Sequence, residues 1–278
     1  MSRVIINEEI RKCVVFVAIR DNKGEFHTRG TAFFLGREVE GTNTTNPTYL
    51  VTAKHVINKA KETLVESIWL RHNLKEGDDA WLETKIENWE THGTNNSLDV
   101  AILKMGVLPE FDNLVIPYGL CANEQVFKEN QIGLGDEVFI TGLFSHHQGK
   151  KKNIPIVRTG NLACLNEEKI NTKEHGEIDA YLVEARSIGG LSGSPVFVNL
   201  GVTRFMDGQL KKSEKGPIFY LIGLIHGHFD VDETEFESKA EGTSISKINS
   251  GIAIVVPFHS INETINDIEA RTQIPKLS

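Results

Sequence analysis

Gly189-Gly190-Leu191-Ser192-Gly193-Ser194-Pro195-Val196 is the stretch on which the reading of this chain turns. Two glycines before Ser192 and one after it let the backbone bend sharply and expose its N–H groups. An attacking serine hydroxyl needs that shape, because the oxyanion it generates must form within reach of backbone donors. A surface turn rich in Gly and Ser has a similar composition, so the segment alone leaves both readings open.

Two distant segments narrow the choice. In Thr48-Tyr49-Leu50-Val51-Thr52-Ala53-Lys54-His55-Val56-Ile57 a β-branched and aromatic run ends in small residues, then a histidine, then a short helical pattern. That places His55 at an element terminus, where a side chain can face a cleft. In Asn95-Asn96-Ser97-Leu98-Asp99-Val100-Ala101-Ile102-Leu103 an acid stands at the mouth of an apolar strand. Singly, a histidine is usually structural and an aspartate usually ends a strand. Together they give the order His55, Asp99, Ser192, with gaps of 44 and 93 residues, one of the orders used for a Ser-His-Asp triad.

On these residues the chain resembles the trypsin-like serine peptidases of the chymotrypsin fold. Thr52-Ala53-Lys54-His55 is similar to the family's Thr-Ala-Ala-His motif, with Lys54 departing from the usual small residue. Gly30 to Leu35 resembles the strand before it, Asp99 to Leu103 the aspartate strand, and Gly190 to Pro195 the Gly-Asp-Ser-Gly-Gly-Pro motif. Ser192-Gly193-Ser194-Pro195 looks closest to the glutamyl endopeptidases. Gly135-Asp136-Glu137-Val138 and Gly251 to Pro257 resemble segments of bacterial HtrA-like members. The likeness runs from about residue 12 to residue 258.

The resemblance implies an all-β architecture of two six-stranded antiparallel β-barrels with the site in the cleft between them, plus a C-terminal helix. The expected division is a first barrel over residues 10–115, a linker over 116–130, a second barrel over 131–258 and a helix over 259–272. Short runs bounded by Gly, Asn, Asp or Pro mark strands at 14–19, 31–35, 49–52, 64–71, 81–86 and 100–103 in the first half. The second half offers 137–141, 154–165, 180–184, 196–198, 218–225 and 251–256. Ser260-Ile261-Asn262-Glu263 reads as a capping box, and Ile261, Ile265 and Ile268 form one apolar stripe expected to pack on the second barrel. Acidic 230–241 and lysine-bearing 209–215 read as solvated loops, either of which could bind a regulatory protein.

The mechanism expected is peptide-bond hydrolysis through an acyl-enzyme. His55 acts as base, Asp99 orients it, and the N–H groups of Gly190 and Ser192 form the oxyanion hole. Leu191 replaces the aspartate that pancreatic-type relatives pair with a new N-terminal amine, so zymogen activation of that type is not expected. The resemblance puts the substrate pocket at Arg186, Ser187, Ile188, Ile225, His226, Gly227 and His228. Their cationic groups would favour an acidic substrate residue if they face the cleft, and are ordinary surface groups if they do not. The alternatives are a pseudo-peptidase that only binds a peptide strand, and a hydrolase that acts on a non-peptide ester or only on itself.

Composition agrees with a folded enzyme. The chain has 278 residues, 40% hydrophobic and 24% charged, and a formal net charge of −8. That charge argues against nucleic acid or an anionic membrane as partner, leaving a protein or peptide substrate. No metal and no cofactor is expected: Cys13, Cys121 and Cys164 are odd in number and scattered, as for free thiols in a reducing cytosol. The N-terminus lacks the apolar core of a secretory signal, and the chain stops about ten residues after the helix, without a PDZ module. A cytoplasmic enzyme is the expectation.

Overall fold

The computed structural model describes residues 6–37, 47–172, 176–185, 189–214, 216, 218–232 and 247–273. In the first half, β1 (Val14–Arg20), β2 (Phe26–Gly36), β3 (Thr48–Thr52), β4 (Ser67–Asn73), β5 (Asp79–Lys85) and β6 (Ala101–Lys104) form an antiparallel sheet in the order β5-β4-β1-β2-β3-β6. The two-residue β7 (Ile116–Pro117) adds in parallel to β2, and α1 (Lys54–Glu62) follows β3 directly. This sheet is not the closed six-stranded barrel expected. After β5 the chain takes a 3₁₀ turn at Ile86–Asn88 and buries Trp89, so β5 never meets β6. The gap is spanned by one bridge, in which Glu90 and Ile102 exchange both backbone hydrogen bonds at 2.8 Å.

The connector carries α2 (Glu124–Glu129), capped by the Asn123 side chain. The second half contains β8 (Glu137–Gly142), β9 (Ile156–Cys164), the hairpin β10 (Ile170–Thr172) and β11 (Gly176–Ile178), β12 (Tyr181–Glu184), β13 (Pro195–Gly201), the hairpin β14 (Thr203–Met206) and β15 (Gln209–Lys212), β16 (Ile218–Asp232) and β17 (Lys247–Pro257). Six of these close into a barrel in the order β12-β17-β16-β13-β8-β9, which leaves no free edge. Period-two alternation sorts its side chains. Val138, Ile140, Val196 and Val198 fill the barrel, while Phe139 and Phe197 between them face out and stack at 4.9 Å within the core shared with the first half.

Two loops expected to be solvated are strand-bearing. Asp207-Gly208 takes positive φ at both residues (52° and 75°), the requirement of a tight hairpin turn, and so joins β14 to β15 within 203–212. β16 runs on through Asp230–Asp232 against Lys247–Asn249, and residues 233–246 lie outside the described residues. The last helix, α3 (Phe258–Gln273), starts straight after Pro257, so buried Ser260 sits inside it rather than capping it. Its apolar stripe Ile261, Ile265, Ile268 is buried as read, each residue contributing about 1.5–3 kcal/mol. The stripe packs not on the second barrel alone but into the core that holds Val51, Ile102 and Val256 together. Arg37 and Tyr49 bind Glu269, and Gly93 N donates to Asp267 at 2.8 Å.

The halves are also clasped on one side. Arg71 pairs with Asp79 at 2.6 Å and donates to the carbonyls of Gly149 and Lys150, while Asn73 and Asn153 exchange two hydrogen bonds. None of the helices among the described residues is long and apolar enough to cross a membrane. Cys13, Cys121 and Cys164 are free thiols.

Next to Arg71, His72 is fully buried, stacked on Phe111 at 4.1 Å with Nδ1 against Asn113. Burial lowers its pKa to about 4. The unfolded chain therefore takes up a proton near pH 6.5 that the folded chain refuses until about pH 4, and stability falls as pH drops through that window. Urea unfolding of the wild type should lose roughly 2 kcal/mol more than a His72→Phe variant between pH 7 and pH 5. Parallel losses in the two proteins would contradict a neutral buried His72.

Candidate active site

His55 is the second residue of α1, and Ala53, which precedes the helix at its N-cap, offers no side-chain cap. The first N–H groups of a helix lack partners within it. Asp99, in the loop just before β6, supplies one from across the sheet: its Oδ1 accepts from His55 N at 2.8 Å. Its Oδ2 lies 2.7 Å from His55 Nδ1. One carboxylate thus fixes both the backbone and the ring of His55, and Asp99 is itself 1% exposed. With Nδ1–H donating to Asp99, Nε2 is left as the basic nitrogen. Lys54 has a use here as well. It donates to the Asn96 carbonyl at 2.7 Å, tying the start of α1 to the loop that bears Asp99.

The serine loop is shaped by contact with the first half. Gly190 and Gly193 have φ of +101° and +83°. A Cβ on Gly193 would stand 2.2 Å from Thr31 O and 2.3 Å from Thr52 Oγ1, so only glycine fits. Thr31 is the anchor. Its N–H donates to Ser192 O at 2.9 Å, its hydroxyl donates to Gly190 O at 3.0 Å and accepts from Leu143 N at 2.9 Å, and its carbonyl accepts from Thr52 Oγ1. On the other side Gly193 N donates to Ile225 O and Ile225 N to Ser194 O. Among the described residues no acceptor faces the N–H of Gly190 or of Ser192.

Ser192 Oγ donates to the His226 carbonyl at 3.3 Å. The His226 ring continues from there to Asp99, with Nδ1 2.6 Å from Oδ2, and lies edge-on to the His55 ring at 5.2 Å. Ser192 is therefore linked to Asp99 and His55 through His226, whose carbonyl accepts from the serine hydroxyl and whose ring meets the carboxylate that holds His55. His226 was expected in the substrate pocket; here it reaches the aspartate because β16 shifts register between Ile225 and Gly227, a bulge that re-aims the side chain. Ile225 points into the barrel core, and Gly227 and His228 are half-buried on the same strand. Arg186, Ser187 and Ile188 lie outside the described residues.

Thr31 escaped the sequence reading. The only signal was a polar residue at the head of the otherwise apolar run Ala32 to Leu35. A largely apolar cavity of about 380 Å³, lined by Cys13, Ile116, Phe139 and Phe219 among others, contains none of the site residues.

Among curated proteins, none matches the chain. Two solved structures share its fold over almost the whole length. One is Deg5, 17% identical with a TM-score of 0.50, the alignment covering 93% of this chain and 90% of that one. The other is the MamO protease domain from Magnetospirillum magneticum in its apo form, 16% identical with a TM-score of 0.50, covering 92% and 96%. The model of the trypsin-like peptidase domain matches residues 30–202, well over half of the sequence. With its antiparallel barrel, the half-barrel beside it and the helix that closes them, the chain belongs to the trypsin-like peptidase domain family.

Proposed function

We propose that the chain is a serine endopeptidase in which Ser192 is the nucleophile, His55 the general base and Asp99 the group that orients it. The observation that carries this reading is the double hold of Asp99 on His55, through backbone and ring, beside the loop that bears Ser192. His55 Nε2 takes the Ser192 proton as Oγ attacks the scissile carbonyl and returns it to the leaving amine; water then releases the acyl group by the same route. The N–H groups of Gly190 and Ser192 receive the oxyanion, each donor contributing about 3 kcal/mol to the transition state. The substrate is a peptide or protein strand.

Leu191 is fully buried in the core of the second barrel. An apolar side chain there supports a loop held by packing and by Thr31 rather than by an ion pair with a released N-terminus. The competing idea, a barrel that binds peptides without cutting them, predicts an inert Ser192.

A fluorophosphonate probe decides between them. Wild type should label stoichiometrically, and Ser192→Ala should neither label nor cleave a peptide library while keeping its circular dichroism. Absence of labelling in folded wild-type protein would sink the proposal. Thr31→Val keeps the shape of the side chain and removes its hydroxyl. It should lower kcat/KM at least about 10-fold through displacement of the serine loop and destabilise the fold by about 1–3 kcal/mol. Unchanged kinetics in that variant would show that the loop does not depend on Thr31.

A further inference from the structure

The groups that meet on Asp99 are also a set of metal donors. His55, Asp99 and His226 are 6%, 1% and 7% exposed, and one ligand atom from each lies within 4.8 Å of the others. Both imidazoles turn Nδ1 to the same oxygen, at 2.7 and 2.6 Å, with their ring planes 76° apart. The two nitrogens thus converge on the carboxylate from different directions. Orienting one base requires one imidazole on the aspartate, and a second goes beyond that need. Two imidazoles and a carboxylate suit borderline divalent cations such as zinc. The remaining oxygen, Oδ1, is already held by His55 N, so Asp99 is fixed in place.

We propose that His55, Asp99 and His226 form an inhibitory site for a divalent first-row cation of the zinc type; the inhibitory part rests on the peptidase reading above. Zinc bonds to nitrogen and carboxylate oxygen are about 2.0–2.2 Å, so ligands around a tetrahedral ion stand about 3.3 Å apart. The two N···O distances must therefore open by roughly 0.6 Å, a small pivot of each ring. Coordination uses the Nδ1 lone pairs. Each neutral ring then carries its proton on Nε2 instead of Nδ1, and no proton is gained or lost. His55 Nε2 becomes an N–H donor, and the Ser192 proton has nowhere to go. Cation binding and activation of the serine exclude each other.

Calorimetric titration of zinc chloride into the metal-stripped full chain tests the site without reference to catalysis. One ion per chain should bind, with affinity reduced at least about 30-fold in both His55→Ala and His226→Ser and unchanged in His27→Gln, which alters the exposed Asp21, Glu25, His27 group. Zinc should block fluorophosphonate labelling of the wild type and a chelator should restore it. In His226→Ser the block should require at least about 30-fold more zinc. Should His226→Ser fail to fold, His226→Gln preserves a donor to Asp99 and is expected to show the same loss of zinc affinity. Equal zinc affinity in folded wild type and His226 variants overturns the site, and zinc binding that leaves labelling untouched overturns its inhibitory role. A zinc site that depends on His226 in a protein that never labels without metal would uphold the site and overturn the peptidase reading.

Discussion

The loop that bears Ser192 belongs to the second barrel, while the imidazole and carboxylate it must meet belong to the first sheet. What joins them is the hydrogen bonding of Thr31, whose backbone and hydroxyl engage Ser192, Gly190 and Leu143 from the first half. Because Thr31 is fully buried, each bond it makes replaces one that water cannot supply. The close approach this requires explains the glycine at 193, whose backbone lies against Thr31 and Thr52 where a methyl group would collide. Sheet, loop and turn are thus mutually fitted, and the placement of the Ser192 loop against the first sheet follows from that fit.

Asp99 has the same role for the other half of the site. A buried carboxylate is costly unless its oxygens are satisfied. Here donors that satisfy it include His55 N, His55 Nδ1 and His226 Nδ1. The desolvated charge that helps a protonated His55 in the proposed mechanism is the charge that would attract a cation in its absence.

Much of this was legible in the residues. Every strand run marked by turn signals became a strand, because short alternating segments between Gly, Asn and Asp leave the backbone few other options. The Asp207-Gly208 signal was present too, but the lysines beside it read as solvent-facing and hid a hairpin. Three features had little or no local signature. The open first sheet depends on a turn at residues 86–88 that diverts β5, the His226–Asp99 contact on a bulge in β16, and the work of Thr31 on partners more than a hundred residues away. Bulges and long-range partners are settled by packing, and pattern reading stops short of them.

The position of α3 has an effect on when the molecule becomes complete. Ile261, Ile265 and Ile268 fill a core built mostly from the first half with Phe139, Phe197, Leu224 and Val256 of the second, and Glu269 holds Arg37 and Tyr49. During synthesis, the sheet presenting the imidazole and its aspartate therefore waits, unfinished, for residues made some two hundred positions later. A nascent chain built this way cannot complete the surroundings of that imidazole and aspartate until the helix so much further along has been made.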